Sequence, residues 1–228
     1  MAGKPVHIAL TLVFQTPPSI AAAGAFGSIA DRVVERNGWG QLIIPGSQVK
    51  GKVRHACEQL ARALGQPICE APRADTMCPN PPGSDPVCLL CRIFGSPALR
   101  SPVRFADLVW EERSRSADEE PMDPARRAMI GINRRRATVA DDRLFLVETA
   151  PYFPAQRFSN ARAITGRLES TAQVKFLLAG LHLILAWGGM KSRGLGWIAQ
   201  VEATATWDES PVPATDWQEV QQLWSDTR

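Results

Sequence analysis

The chain has 228 residues, 45% hydrophobic and 21% charged, with a formal net charge of +3. That balance is the one an ordinary soluble globular protein shows, and the length allows a sizeable core in one large domain or two small ones. A charge so close to neutral gives no compositional argument for nucleic acid, although the basic residues are unevenly placed.

Ile8, Leu10, Leu12 and Phe14 alternate with other residues, which predicts a first strand. Lys4, the short apolar run and the small residues Ala21 to Ala23 have some character of a secretory leader, but Thr11 breaks the run and Pro17-Pro18 ends it. No run reaches the ~18 apolar residues of a membrane span, so a cytoplasmic protein is expected. A Gly/Ala-rich loop, Ala21 to Gly40, follows and carries Asp31 in SIADRVVERNGWG. After QLIIPGS a helix is predicted from Ser47, a good N-cap, to Leu64. Val49, Val53, Cys57, Leu60 and Leu64 form its apolar stripe. Lys50, Lys52 and Arg54 crowd its first two turns, where cations oppose the helix dipole. That cost suggests an anion bound near the helix start.

Residues 66–91 are rich in Pro and Cys and fit no period. Val103 to Trp110 reads as a strand. Residues 111–143 are polar and strongly charged, including Arg113, Arg115, Arg126, Arg127, Arg134, Arg135, Arg136 and Arg143, and read as a projecting insertion. Leu144 to Ala150 alternates again. Ser170 to Trp187 reads as a mostly buried helix stopped by Gly188-Gly189. Trp197, Ala199, Val201 and Ala203 give a closing strand, and Trp217, Val220 and Trp224 a short amphipathic turn. Strand, helix, strand, strand, helix, strand is the α+β ferredoxin-like βαββαβ plan, which many functions share.

Four segments carry candidate chemistry. Cys69, Cys78, Cys88 and Cys91 lie in a Pro/Gly loop, the last two as CLLC. In a cytoplasmic protein such thiols point to a closed tetrahedral zinc site of structural use, with two disulfides or free thiols as the alternatives. Cys57 belongs to the helix stripe, and His55 is a conceivable substitute ligand. GSQVKGKV, residues 46–53, nearly fits the phosphate-cradling pattern G-x-x-x-x-G-K-[ST], but Val53 cannot bind Mg²⁺, which argues against NTP hydrolysis. KSRGLG, residues 191–196, combines glycines with Lys191 and Arg193, either to neutralise phosphate or simply to turn the chain. With the arginine-rich insertion, these basic elements favour a surface that tracks a nucleic-acid backbone.

IIPGSQVKGKVR, CRIFGSPALRSPVRFADL, IGINRRRATVADDRLFLVETAPYFPAQRF and GGMKSRGLGW, in that order, resemble the RAMP superfamily of CRISPR-associated proteins, and among them the backbone subunits of type III effector complexes. The resemblance spans nearly the whole chain. It implies one RAMP domain over residues 1–228, with a zinc-binding insertion at 66–93 and a thumb-like β-hairpin insertion at 111–143. It implies partners in a CRISPR guide RNA, a target RNA and other type III subunits, including further RAMP proteins. Ser47, Lys50, Lys52 and Arg54, with Lys191, Ser192 and Arg193, correspond to guide-binding positions. Arg134, Arg135 and Arg136 correspond to the thumb, with Met129 and Ile130 as candidate wedges or packing residues. Asp31 corresponds to the acidic residue with which active subunits support Mg²⁺-dependent cleavage of target RNA, Glu35 being a nearby substitute. A carboxylate there holds a divalent ion or orients a ribose hydroxyl. A subunit that binds guide RNA without cutting is the competing expectation. His7, His55 and His182 have no evident partner, which disfavours a metal-independent processing nuclease.

Overall fold

Strand β1 (Lys4–Phe14) lies inside a seven-stranded sheet and places Val6, Ile8, Leu10 and Leu12 on one face, each at most 1% exposed. The computed structural model describes residues 3–21, 30–73, 75–79, 87–111, 123–152 and 155–213. In chain order there follow β2 (Ile43–Ile44), α1 (Gly46–Ala63), α2 (Leu89–Phe94), β3 (Val103–Phe105), β4 (Leu108–Trp110), β5 (Ala125–Asn133), β6 (Thr138–Thr149), β7 (Gln156–Leu168), α3 (Thr171–His182), β8 (Ile198–Trp207) and β9 (Ser210–Val212). The sheet runs β2-β4-β7-β1-β8-β9, with β3 also on β7. All its strand pairs are antiparallel. β5 and β6 form a separate two-stranded sheet.

The core follows from these patterns. Val49, Val53, Cys57 and Leu60 of α1 are buried against Val174, Phe176, Leu177 and Leu181 of α3, with the inner face of β1 behind them. The α1–α3 contact is close because Gly180 has no side chain: a Cβ there would strike the Cys57 sulfur. Cys57 is thus a core residue, its thiol donating weakly to the Phe176 carbonyl at 3.8 Å. Burial pushes that thiol well above its ordinary pKa.

Several expected elements differ. α1 starts at Gly46, with Pro45 and not Ser47 as its N-cap, and no side-chain cap bond forms. Instead the Gly46 N–H donates to Asp107 Oδ1 at 2.7 Å. The Val103–Trp110 strand is two short strands, and the Leu144–Ala150 segment is the end of the hairpin strand β6. The long strand beside β1 is β7, whose alternation is broken by a register shift opposite Ile8 and Leu10. α3 stops at His182, five residues short of the expected Trp187, with Ser170 as its N-cap. α2, inside the cysteine segment, was not expected; six residues are too few for a helical period to show. The 112–122 part of the insertion, with Arg113 and Arg115, lies outside the described residues. So do residues 22–29 of the Gly/Ala loop and the Trp217, Val220 and Trp224 turn. Among the described residues no helix is long and apolar enough to cross a membrane.

Candidate nucleic-acid interface

Three of the segments marked in the sequence meet at the start of α1. After α3, Leu183–Trp187 leads into a loop in which Trp187 is fully buried. The Trp187 N–H donates to the Gly196 carbonyl at 2.7 Å, which closes the loop into a ring. Gly196 has φ of 70°, and a Cβ there would collide with the Trp187 carbonyl oxygen, so only glycine serves. The Trp187 indole Nε1–H then donates to Gln48 Oε1 of α1 at 2.8 Å. Lys191, Ser192 and Arg193 form a 3₁₀ turn at the top of this ring, all exposed.

The ring sets Lys191 beside Lys52. Burial and the neighbouring Lys191 ammonium hold the Lys52 pKa down at about 8. Burial and Arg54 likewise lower that of Lys50. Like charges gathered this way are stabilised by an anion between them. The helix start contributes less than expected, because its Gly46 N–H already binds Asp107. Ser47 is exposed and makes no cap bond. Arg54 does not project: Nε donates to Glu58 Oε1 and Nη1 to the Gly95 carbonyl, each at 3.0 Å. Its Nη2 is buried with no partner.

Arg193 lies over the Phe145 ring of β6 at 5.8 Å, which carries the glycine loop toward the hairpin. One residue on, Leu146 takes hold of Asp31. The Leu146 N–H donates to Asp31 Oδ2 at 2.7 Å, and the Asp31 N–H donates back to the Leu146 carbonyl at 3.0 Å. Asp31 is exposed and pinned to β6. Glu35 instead pairs its backbone with Ile20 and Ile43. Arg134, Arg135 and Arg136 are exposed in the turn between β5 and β6, where Asn133 Oδ1 accepts from the N–H groups of Arg135 and Arg136. Ile130, Ile132, Val139 and Leu144 are exposed on that hairpin, while Met129 is half-buried.

The cysteine segment folds around a four-thiol cluster. The sulfurs of Cys69, Cys78, Cys88 and Cys91 all lie within 4.8 Å of one another, and none forms a disulfide. Cys69 and Cys91 are 3.4 Å apart and Cys88 and Cys69 3.7 Å. Tetrahedral zinc with Zn–S bonds of ~2.3 Å would set sulfurs roughly 3.8 Å apart, so the donor set fits that ion. Cys88 caps α2 and Cys91 lies in its first turn. His55 is exposed on α1 and belongs to no such cluster.

Gln48, Trp187, Asp107 and Phe145 were not singled out in the sequence. Gln48 sits inside the GSQVKGKV motif and Trp187 immediately before the glycine loop, so proximity to a motif was their only signal.

A mixed α+β fold that joins a lysine-bearing helix start to a basic glycine turn defines a candidate binder of polyanions. The chain belongs to the RAMP superfamily, whose pattern it matches over residues 4–199, and members of that superfamily are CRISPR-associated RNA-binding subunits. No curated protein matches it.

Proposed function

We propose that this protein is a backbone subunit of a type III CRISPR effector complex, which binds guide RNA through its sugar-phosphate backbone and cuts target RNA at Asp31. The observation that carries the RNA-binding part is the pairing of Lys52 with Lys191, two cations from distant segments set side by side. Electrostatic contact of this kind is independent of sequence, and specificity would come from base pairing. β8-β1-β7-β4 with α1 and α3 on one face supports the ferredoxin-like reading of residues 1–228. The β5–β6 hairpin is the proposed thumb, with Arg134, Arg135 and Arg136 at its turn. Residues 66–93 are the proposed zinc insertion, held by the four cysteines.

Cleavage rests on Asp31, an exposed carboxylate fixed to the hairpin strand. Mg²⁺ commonly binds proteins through one or two carboxylates and keeps several waters. Asp31 can therefore serve as its one protein ligand, with RNA oxygens and water supplying the rest. A second reading, a subunit that binds and does not cut, is favoured by the bond from Leu146 to Asp31 Oδ2, since a carboxylate used to dock a loop needs no catalytic role. The two separate when the complex is assembled with Asp31→Ala and given matching target RNA and Mg²⁺. Fragments from wild type alone support cutting at Asp31. Equal cutting by both overturns that assignment, and cutting by neither leaves the binding-only reading.

A further inference from the structure

On the outer side of α1, the helix, the FGSPALRS loop and the cysteine segment line an open pocket of about 730 Å³. Its size lies within the range of small-molecule sites and far exceeds what one phosphate group fills. The lining divides by chemistry. Lys50, Arg54, His55 and Arg100 supply basic groups, and Glu58, the one acid in the lining, is already bound by Arg54. Pro72, Met77, Phe94, Pro97 and Leu99 supply apolar surface.

Arg54 is held by Glu58 and Gly95, so its plane is fixed, and its Nη2 is buried with no partner. Lys50 is partly desolvated beside that guanidinium. An anion entering the pocket would meet Lys50 and the exposed Arg100, whose planar guanidinium suits phosphate oxygens. The apolar part of the lining would suit a flat, weakly polar ring. Ala71, Pro72 and Met77 lie between Cys69 and Cys78, so the thiol cluster sets the position of that wall.

We propose that this pocket binds a nucleoside monophosphate unit, its phosphate on Lys50 and Arg100 and its base against the wall carried by the cysteine segment. The unit is either the terminus of a bound RNA strand or a free nucleotide. The proposal rests in part on the RNA-binding reading, because Lys50 belongs to both.

The test is calorimetric titration of the full chain with the four nucleoside 5′-monophosphates and, separately, with inorganic phosphate. Guide-length RNA binding is measured in parallel. Expected is saturable nucleotide binding, tighter than that of inorganic phosphate. Arg100→Glu, an exposed position, should weaken it more than tenfold, since hydrogen bonds to charged groups contribute about 1.5–3 kcal/mol. Pro97→Trp, which adds bulk at an exposed position of the lining, should weaken it as well. Displacement of the nucleotide by a 5′-phosphorylated RNA identifies the strand terminus as ligand; no displacement identifies a free nucleotide. No nucleotide binding at millimolar concentration, binding no tighter than inorganic phosphate, or binding indifferent to both substitutions overturns the proposal. Intact RNA binding in those cases leaves the RNA-binding reading standing. Nucleotide binding without RNA binding does the reverse.

Discussion

Trp187 donates its indole N–H to Gln48 at 2.8 Å, so the last glycine-rich motif and the first lysine-bearing motif are held together by one hydrogen bond in the core. Gln48→Ala leaves a fully buried indole donor without its acceptor, which costs about 1–3 kcal/mol of stability. Trp187→Phe removes the donor but keeps most of the ring, and should cost less at Gln48 while adding a small void. Both should loosen the Lys52–Lys191 pairing, so RNA affinity should fall by more than the loss of folded protein explains. Denaturant unfolding and RNA titration on the same samples check this. RNA affinity unchanged in both variants would show that the bond is only structural.

The Lys52–Lys191 pair should make folding and binding depend on pH in opposite senses. Burial and Lys191 hold the Lys52 pKa near 8, against 10.5 for an ordinary lysine. Between those values the unfolded chain binds more protons than the folded one, so stability rises with pH across that window. Below about pH 8 the ammonium is charged in both states and the full cost of crowding is present. A phosphate between the lysines favours the charged form, so binding should take up a proton near pH 8 and weaken as pH climbs above it. Lys52→Gln should flatten both trends. Thermal unfolding and RNA titration from pH 7 to 10 read them, and a pH-independent affinity over that range would rule out Lys52 as a phosphate contact.

The four-thiol cluster should carry one zinc per chain. Its sulfurs sit at separations that a tetrahedral thiolate site needs. Metal binding to such a segment is folding energy for it. Cys88→Ser should lose the metal and raise proteolysis within residues 66–93 while leaving the far strands β8 and β9 protected from hydrogen exchange. Metal analysis of purified protein decides the point: native protein free of zinc refutes the site.

What the sequence showed, and what it hid, follows from burial. The α1 stripe was legible because Val49, Val53, Cys57 and Leu60 point one way into a one-sided core. The cysteine cluster was legible from residue type alone. β7 was not, although it lies beside β1, because its pattern breaks around Asn160 to Arg162, where the register slips and side chains face solvent. The β5–β6 hairpin showed no clean period of its own in the sequence, and the resemblance alone implied it, because its apolar residues Ile130, Ile132, Val139 and Leu144 share an exposed face interleaved with arginines. Arg54 follows the two lysines in sequence, but the helix turns it onto Glu58 and Gly95. The meeting of Lys52 with Lys191, and of Asp31 with Leu146, is tertiary and has no local signature.

Asp31 has two functions to separate, docking and chemistry, and Asp31→Asn separates them. The bond at stake is accepted by Oδ2 from the Leu146 N–H at 2.7 Å, and an asparagine amide oxygen accepts the same bond. What asparagine lacks is the negative charge that holds a divalent ion. Asp31→Asn should therefore keep the loop on β6, with stability and guide-RNA affinity near wild type. Asp31→Ala removes the acceptor and should cost about 0.5–1.5 kcal/mol, or more if the Leu146 N–H is left unsatisfied. If Asp31 supports cleavage, both variants lose it although only the alanine variant loosens the loop, and the drop should exceed what reduced folding explains. If Asp31 only docks the loop, the asparagine variant cuts, or fails to cut, as wild type does. Cleavage by wild type and Asp31→Asn at equal rates, with Mg²⁺ present and guide RNA bound, would refute the catalytic assignment and leave Asp31 as the residue that fixes its loop to β6.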